Sequence, residues 1–246
     1  MQIPTKSFSL STIEKGDKNS PKLAITLPGR LDSKDYLNTT SHTQFLADQG
    51  YLAVTFDPPG TWESAGTIED FTTTNYIKAV NELIEYYGNK PTLLVGFSRG
   101  GAVAMLASTN PAVEALILVM ASYKPPTPPP AEALEIGYKI SRRPYPLSSG
   151  KEGKKEFRIP LNYWEDGKKH DQVAALKKFQ GPKLIIFGTR DEFTEPQEVE
   201  KVFAQLDAPK MLREIDCEHD YVNDDEVIEK VEGVMGEFVS NFKDLL

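Results

Sequence analysis

The segment Thr92–Ala107 reads TLLVGFSRGGAVAMLA: an apolar run, then Gly96-Phe97-Ser98-Arg99-Gly100, then a string of small and aliphatic residues. Thr92 to Phe97 has the length and composition of a buried strand, and Gly101 to Ala107 those of a closely packed helix. The five residues at the junction match the pattern GxSxG. A turn from strand to helix in so few residues holds its central residue in a strained conformation with the side chain exposed. Glycines on both sides let neighbouring backbone pass close by. Ser98 is therefore predicted to present its hydroxyl at the end of a central strand. The helix behind it offers unpaired N–H groups and positive potential to an oxyanion developing beside that hydroxyl.

A serine hydroxyl is a weak nucleophile near neutral pH and needs a base. The chain has three histidines, His42, His170 and His219. His42 falls early in a helical pattern ending at Gly50 and reads as a surface or packing residue, while His170 lies in a lysine-rich stretch. His219 follows the apolar strand Met211 to Ile215 in the loop Asp216-Cys217-Glu218-His219-Asp220. Loops at that end of a parallel sheet gather around the site, so His219 is the expected base. Its imidazole needs a carboxylate to fix its tautomer and stabilise its cation. Asp191, closing Gly188-Thr189-Arg190-Asp191 after the strand Lys183 to Phe187, is preferred over Glu192, Glu195 and Asp216.

Further strands are predicted at Lys22 to Leu27, Tyr51 to Phe56 and Ala115 to Ala121. Helical patterns alternate with them, clearest where Ile77, Val80, Leu83, Ile84 and Tyr87 recur before Gly88, and again at Asp171 to Phe179 and Val227 to Phe242. That alternation implies an α/β fold around a mostly parallel sheet. Phe8 to Ile13 reads as one N-terminal strand. Residues 122–170 break the rhythm, with five prolines in Lys124 to Pro130 and a short helix about Ala131 to Ile140. Roughly 50 residues exceed a plain connection. Phe157, Ile159, Leu161, Tyr163 and Trp164 supply apolar surface that a disordered linker does not need. The expectation is one domain over residues 1–246, with a lid inserted at about 122–170.

A chain of 246 residues and 27.4 kDa suits one such domain. The 28 basic and 36 acidic side chains leave a net charge of −8 and a pI near 5.1, which argues against a nucleic-acid binder. Residues 139–183 carry 12 basic and 5 acidic side chains, and residues 191–246 carry 5 and 17; both read as solvated surface, with steering of an anionic substrate into a cleft as the alternative for the basic stretch. The single cysteine, Cys217, forms no internal disulfide, and with three scattered histidines it builds no cysteine-rich zinc site. The longest apolar run, Ala115 to Ala121, is far short of the roughly 20 residues that span a bilayer. Without a signal-peptide pattern at Met1 to Leu10, the expected location is cytoplasmic. The sequon at Asn38-Thr39-Thr40 then reads as accidental.

The order Ser98, Asp191, His219 and the setting of each residue resemble the α/β-hydrolase fold superfamily over nearly the whole chain. Asp57-Pro58-Pro59-Gly60-Thr61-Trp62-Glu63-Ser64 is similar to that family's DxxGxGxS turn, with Trp62 replacing the second glycine. The family's oxyanion turn begins His-Gly; here the matching residues are Pro28-Gly29-Arg30-Leu31. The resemblance implies an oxyanion hole made by the backbone N–H groups of Arg30 and Arg99, which does not need the missing histidine side chain. A second departure is the short N-terminus, expected to lack the family's first strand. Leu176 to Glu192 also resembles small microbial cinnamoyl and feruloyl esterases over one helix and one strand.

The implied reaction is hydrolysis of a small-molecule carboxylic ester through an acyl-enzyme on Ser98, with no metal or organic cofactor. Tyr163 and Trp164 are candidates to line the substrate pocket as well as to pack the lid. The Arg99 side chain is expected in a surface salt bridge, with contact to an anionic substrate as the alternative. Two rival readings stand beside this one. An aminopeptidase-like serine peptidase would use acidic lid residues (Glu132, Glu135, Glu152, Glu156, Glu165 or Asp166) to bind an amino terminus. A catalytically silent member of the fold would only bind. Oligomeric state is left open by the sequence.

Overall fold

Aliphatic and β-branched runs that are apolar on both sides belong between two layers of helices, and that is where the central strands lie. The computed structural model describes residues 1–242, so positions 243–246 of the acidic C-terminal stretch lie outside the described residues. Ten strands form: β1 (Gln2–Pro4), β2 (Ser9–Lys15), β3 (Leu23–Leu27), β4 (Leu52–Phe56), β5 (Thr92–Phe97), β6 (Val113–Val119), β7 (Tyr138–Pro144), β8 (Lys154–Pro160), β9 (Lys183–Gly188) and β10 (Lys210–Ile215). Eight make one sheet in the order β1-β2-β4-β3-β5-β6-β9-β10. Only β2 runs antiparallel to its neighbours; β3 to β6, β9 and β10 pair in parallel. Every residue of β3, β4, β5 and β9 is buried.

One face of the sheet packs on α2 (Thr73–Tyr86), α3 (Arg99–Ala107), α6 (Gln172–Lys178) and α7 (Pro196–Ala204). The other packs on α1 (Leu37–Asp48) and α8 (Asp225–Asn241). Successive strand side chains alternate between these cores, Leu94 entering the first and Leu93 and Val95 the second. Leu94 is fully buried in a central strand. Leu94→Ala is expected to cost about 2–5 kcal/mol, from lost transfer energy plus the cavity left behind, read as a lower denaturant midpoint. Asn38 of the sequon is buried at the start of α1, out of reach of modification.

The N-terminus corrects one expectation. The first strand is present: β1 pairs with β2, setting Ile3 opposite Leu10, both fully buried. A three-residue strand ending in proline carries too little alternation to be read from sequence. The strand expected to reach Ala121 ends at Val119, because Met120 takes a φ of 43°. The helix expected over Ala131 to Ile140 is shorter, α4 (Ala131–Ile136), closed by Gly137 at φ 84°. The chain then enters an unexpected antiparallel hairpin, β7 with β8, followed by α5 (Asn162–Gly167). The hairpin's residues are polar and mostly half-exposed, so their period-two signal is weak. Leu31, Phe71, Phe157, Ile159, Tyr163 and Trp164 form a third apolar cluster that fastens this segment to the turns above the sheet.

Candidate active site

β5 ends at Phe97 and α3 begins at Arg99, leaving Ser98 alone at the corner with φ 52° and ψ −115°. Positive φ at a non-glycine residue is strained, and the corner is fixed from both sides. The Ser98 N–H donates to the Val119 carbonyl (3.0 Å), and the Ser98 carbonyl accepts from Ser122 (3.0 Å). The flanking glycines make the corner possible: a Cβ on Gly96 would lie 2.4 Å from the Gly100 carbonyl oxygen, and one on Gly100 would lie 2.0 Å from that of Leu27.

The hydroxyl of Ser98 sits 2.8 Å from His219 Nε2, and His219 Nδ1 sits 2.8 Å from Asp191 Oδ2. Asp191 and His219 are both buried. The other Asp191 oxygen accepts from the N–H groups of Phe193 (2.8 Å) and Thr194 (3.0 Å), which fixes the carboxylate. The rival acids lie elsewhere. Glu192 accepts from the His219 backbone N–H at 3.2 Å, Glu195 precedes α7, and exposed Asp216 binds Arg190 and Thr189. His42 is buried between Glu232 (3.0 Å) and the Tyr221 hydroxyl (3.1 Å), tying α1 to α8, and His170 meets the Thr74 hydroxyl at 3.0 Å. The Arg30 and Arg99 backbone N–H groups have no acceptor among the described residues, and both residues line the same cavity as Ser98. An imidazole held by a carboxylate and touching a serine hydroxyl is equipped to accept that hydroxyl's proton.

The chain matches a family model described as alpha/beta hydrolase fold over residues 25–143. A second, described as PhoPQ-activated pathogenicity-related protein, matches residues 157–243. Over 191 residues the chain is 23% identical to "Palmitoyl-protein thioesterase ABHD10, mitochondrial" of Mus musculus, covering 75% of this chain but 64% of that protein. Among solved structures, Est1E from Butyrivibrio proteoclasticus, with ferulic acid bound, aligns at TM-score 0.76 and 20% identity over 98% of this chain and 99% of its own. Mouse alpha/beta hydrolase domain-containing protein 10 aligns at TM-score 0.75 and 19% identity, covering 98% of both chains. The chain has the α/β-hydrolase fold.

The DxxGxGxS-like turn takes left-handed backbone at the position of its substitution. Trp62, in place of glycine, still takes a positive φ of 44°. Its indole N–H donates to the Leu31 carbonyl at 2.8 Å, and its ring packs edge-on against Phe157, Tyr36 and Tyr145. Lost glycine freedom is thus exchanged for a bolt between the Pro28–Leu31 turn and the inserted segment. Asp35, Asp57 and Glu63 lie close enough together to suggest a cation site. Lys34 Nζ already sits among them, at 2.6, 3.3 and 2.8 Å. The trio therefore reads as a knot bridged by one lysine.

Sequence reasoning missed three features of the hydrolase site. Arg143, on β7, binds both Asp32 in the turn after β3 and Asp220 beside His219 (3.1 Å to Asp220). Phe193, 71% exposed, lays its ring edge-on to His219 with centroids 4.8 Å apart. Arg99 corrects an expectation: its side chain is buried, makes no salt bridge among the described residues, and lies against the rings of Phe71 (4.5 Å) and Tyr163 (4.3 Å). Tyr163 and Trp164 pack in the third cluster and also line the cavity that holds Ser98.

Burial pushes the Asp32 carboxyl up to about 6 from an ordinary 3.8, although the Arg143 guanidinium pulls the other way. The folded value is the higher one, so the native state holds the extra proton. Asp32 thus favours folding below about pH 4, and that contribution is lost as pH rises through about 6. A carbon-13 titration is expected to show one carboxyl with a midpoint near pH 6 that vanishes in Asp32→Asn.

Proposed function

We propose that this protein is a serine hydrolase of carboxylic esters. The observation that carries the reading is the unbroken relay Ser98 Oγ, His219 Nε2, His219 Nδ1, Asp191 Oδ2, with 2.8 Å at each hydrogen bond, opening on a cavity of about 600 Å³. That volume suits a small-molecule ligand. His219 takes the Ser98 proton as Oγ attacks the acyl carbon, and Asp191 stabilises the imidazolium. The Arg30 and Arg99 N–H groups receive the oxyanion. The imidazolium then protonates the leaving alcohol, and water, deprotonated by His219, releases the acid. A thioester, the bond cleaved by the thioesterase named above, enters by the same attack with a thiol leaving.

Residues 122–170 act in this reading as the lid, since Tyr123, Lys139 and Trp164 from it line the cavity opposite the serine. Cys217 is excluded as a rival nucleophile because it is buried, and burial pushes its thiol up to about 11. Among the described residues no helix is long and apolar enough to cross a membrane, and a cytoplasmic setting fits the unpaired cysteine. The peptidase alternative loses its main support, because none of Glu132, Glu135, Glu152, Glu156, Glu165 and Asp166 lines the cavity.

The test is hydrolysis of p-nitrophenyl esters from acetate to palmitate beside an aminoacyl-nitroanilide panel, with a serine-directed phosphonate as probe. Ester cleavage with labelling of Ser98 is the expected result. Cleavage of anilides alone would favour the peptidase, and no labelling would favour a silent, binding member of the fold.

A further inference from the structure

Arg99 poses a problem that the ester reading does not solve. A guanidinium carries five N–H donors and a permanent charge, and here it is 7% exposed. Its Nη2 reaches only the Thr73 hydroxyl, at 3.5 Å, the outer limit of a hydrogen bond, and its buried Nε finds no acceptor. No carboxylate pairs with it among the described residues. Buried charges are ordinarily paired, because an uncompensated one forfeits its hydration without return. Two aromatic faces, Phe71 and Tyr163, offset part of that loss and hold the group in place. They cannot accept its hydrogen bonds in the plane of the fork.

The surroundings carry the same sign. Of the cations lining the cavity, Arg143 is held by Asp32 and Asp220, Arg142 by Glu156, and Lys124 by Glu198. Arg30, Arg99 and Lys139 line it with no carboxylate partner among the described residues. Of the lining carboxylates, only Glu192 has no cationic partner, and it accepts from the His219 backbone N–H. The cavity therefore holds unbalanced positive charge, with its most deeply buried member one residue from the serine.

We propose that Arg99 is a specificity residue that receives an anionic group of the substrate, so that the natural ester carries a carboxylate in addition to the bond that is cleaved. The planar fork suits a carboxylate bound through two oxygens, and the carboxylate completes the guanidinium's hydrogen bonds. This deepens the ester reading and rests on it.

The experiment uses two matched pairs of esters. Monomethyl adipate and methyl hexanoate differ by a terminal carboxylate on the acyl side. 4-Acetoxybenzoate and 4-methylphenyl acetate differ by a carboxylate on the alcohol side. Wild type is expected to prefer the anionic member of one pair by tenfold or more in kcat/KM, chiefly through KM, and the pair that responds locates the carboxylate. Arg99→Gln should abolish that ratio and Arg99→Lys should retain part of it. A wild-type ratio at or below one in both pairs, or a ratio unchanged in Arg99→Gln, overturns the proposal. If Arg99→Gln fails to fold, the wild-type ratio and Arg99→Lys decide.

Hydrolysis of none of the four esters would count against the ester reading instead. Calorimetric titration of the Ser98→Ala protein with monomethyl adipate and with methyl hexanoate then tests the anion site alone. Tenfold tighter binding of the adipate supports it, and equal binding overturns it.

Discussion

Ser98→Ala is expected to lower kcat/KM on the best ester by about 10⁴- to 10⁶-fold, the loss that follows removal of a nucleophile from a working triad. The Oγ at 2.8 Å from His219 Nε2 is the only atom of the relay placed to attack a carbonyl. Without it, the Arg30 and Arg99 amides can still polarise a bound carbonyl, which leaves slow attack by water. The fold should be untouched, since Ser98 is fixed by backbone hydrogen bonds to Val119 and Ser122 that alanine keeps. Unchanged thermal unfolding beside lost turnover separates chemistry from stability. His219→Ala should cost a similar factor, and the double variant little more, because a relay acts as one unit. A loss under tenfold for Ser98→Ala would move the nucleophile elsewhere.

Gly100→Ala is expected to be the most damaging small substitution for folding. The added Cβ would stand 2.0 Å from the Leu27 carbonyl oxygen and 2.7 Å from that of Pro28. Both atoms are backbone at the end of β3, a central strand, so neither can swing away as a side-chain tip would. Relief requires moving α3 off the sheet, which opens the corner at Ser98 and separates it from the Pro28–Leu31 turn, where the second oxyanion donor is proposed. Overpacking of a tight core costs about 1–3 kcal/mol, and occasionally more; backbone clash this close belongs at or beyond the upper end. Gly233→Ala in α8 is the control, since a Cβ there meets nothing within 4 Å. Relief of glycine's helix penalty should make it stabilising by roughly 0.5–1 kcal/mol. Chemical denaturation of the pair measures both.

The central strands and the residues on the loops after them were legible because both signals are local. A buried parallel strand is an unbroken apolar run, and a loop residue directly after such a run is positioned by the strand. That logic brings Ser98, Asp191 and His219 together in the structure, although they lie far apart in sequence. It fails where a partner is non-local. Nothing near Arg143 in sequence announces Asp32 or Asp220, and the β7–β8 hairpin is too polar to declare itself. Arg99 departs from the expected surface salt bridge because the rings of Phe71 and Tyr163, from two segments distant in sequence, roof it. The edge strand β1 escaped notice because three residues are too few to show a period.

Arg143 joins three segments through one side chain: the β7–β8 hairpin, the turn holding Asp32, and the loop holding Asp220 and His219. The burial of Asp32 makes its release from that guanidinium costly. These segments therefore belong to one cooperative opening unit, although Arg143 is 111 residues from Asp32 and 77 from Asp220 along the chain. In native-state hydrogen exchange their protected amides are expected to share a single opening free energy below that of β5 and β6. Arg143→Ala is expected to let the Asp220 loop open separately, while the third apolar cluster still holds the hairpin to the turn.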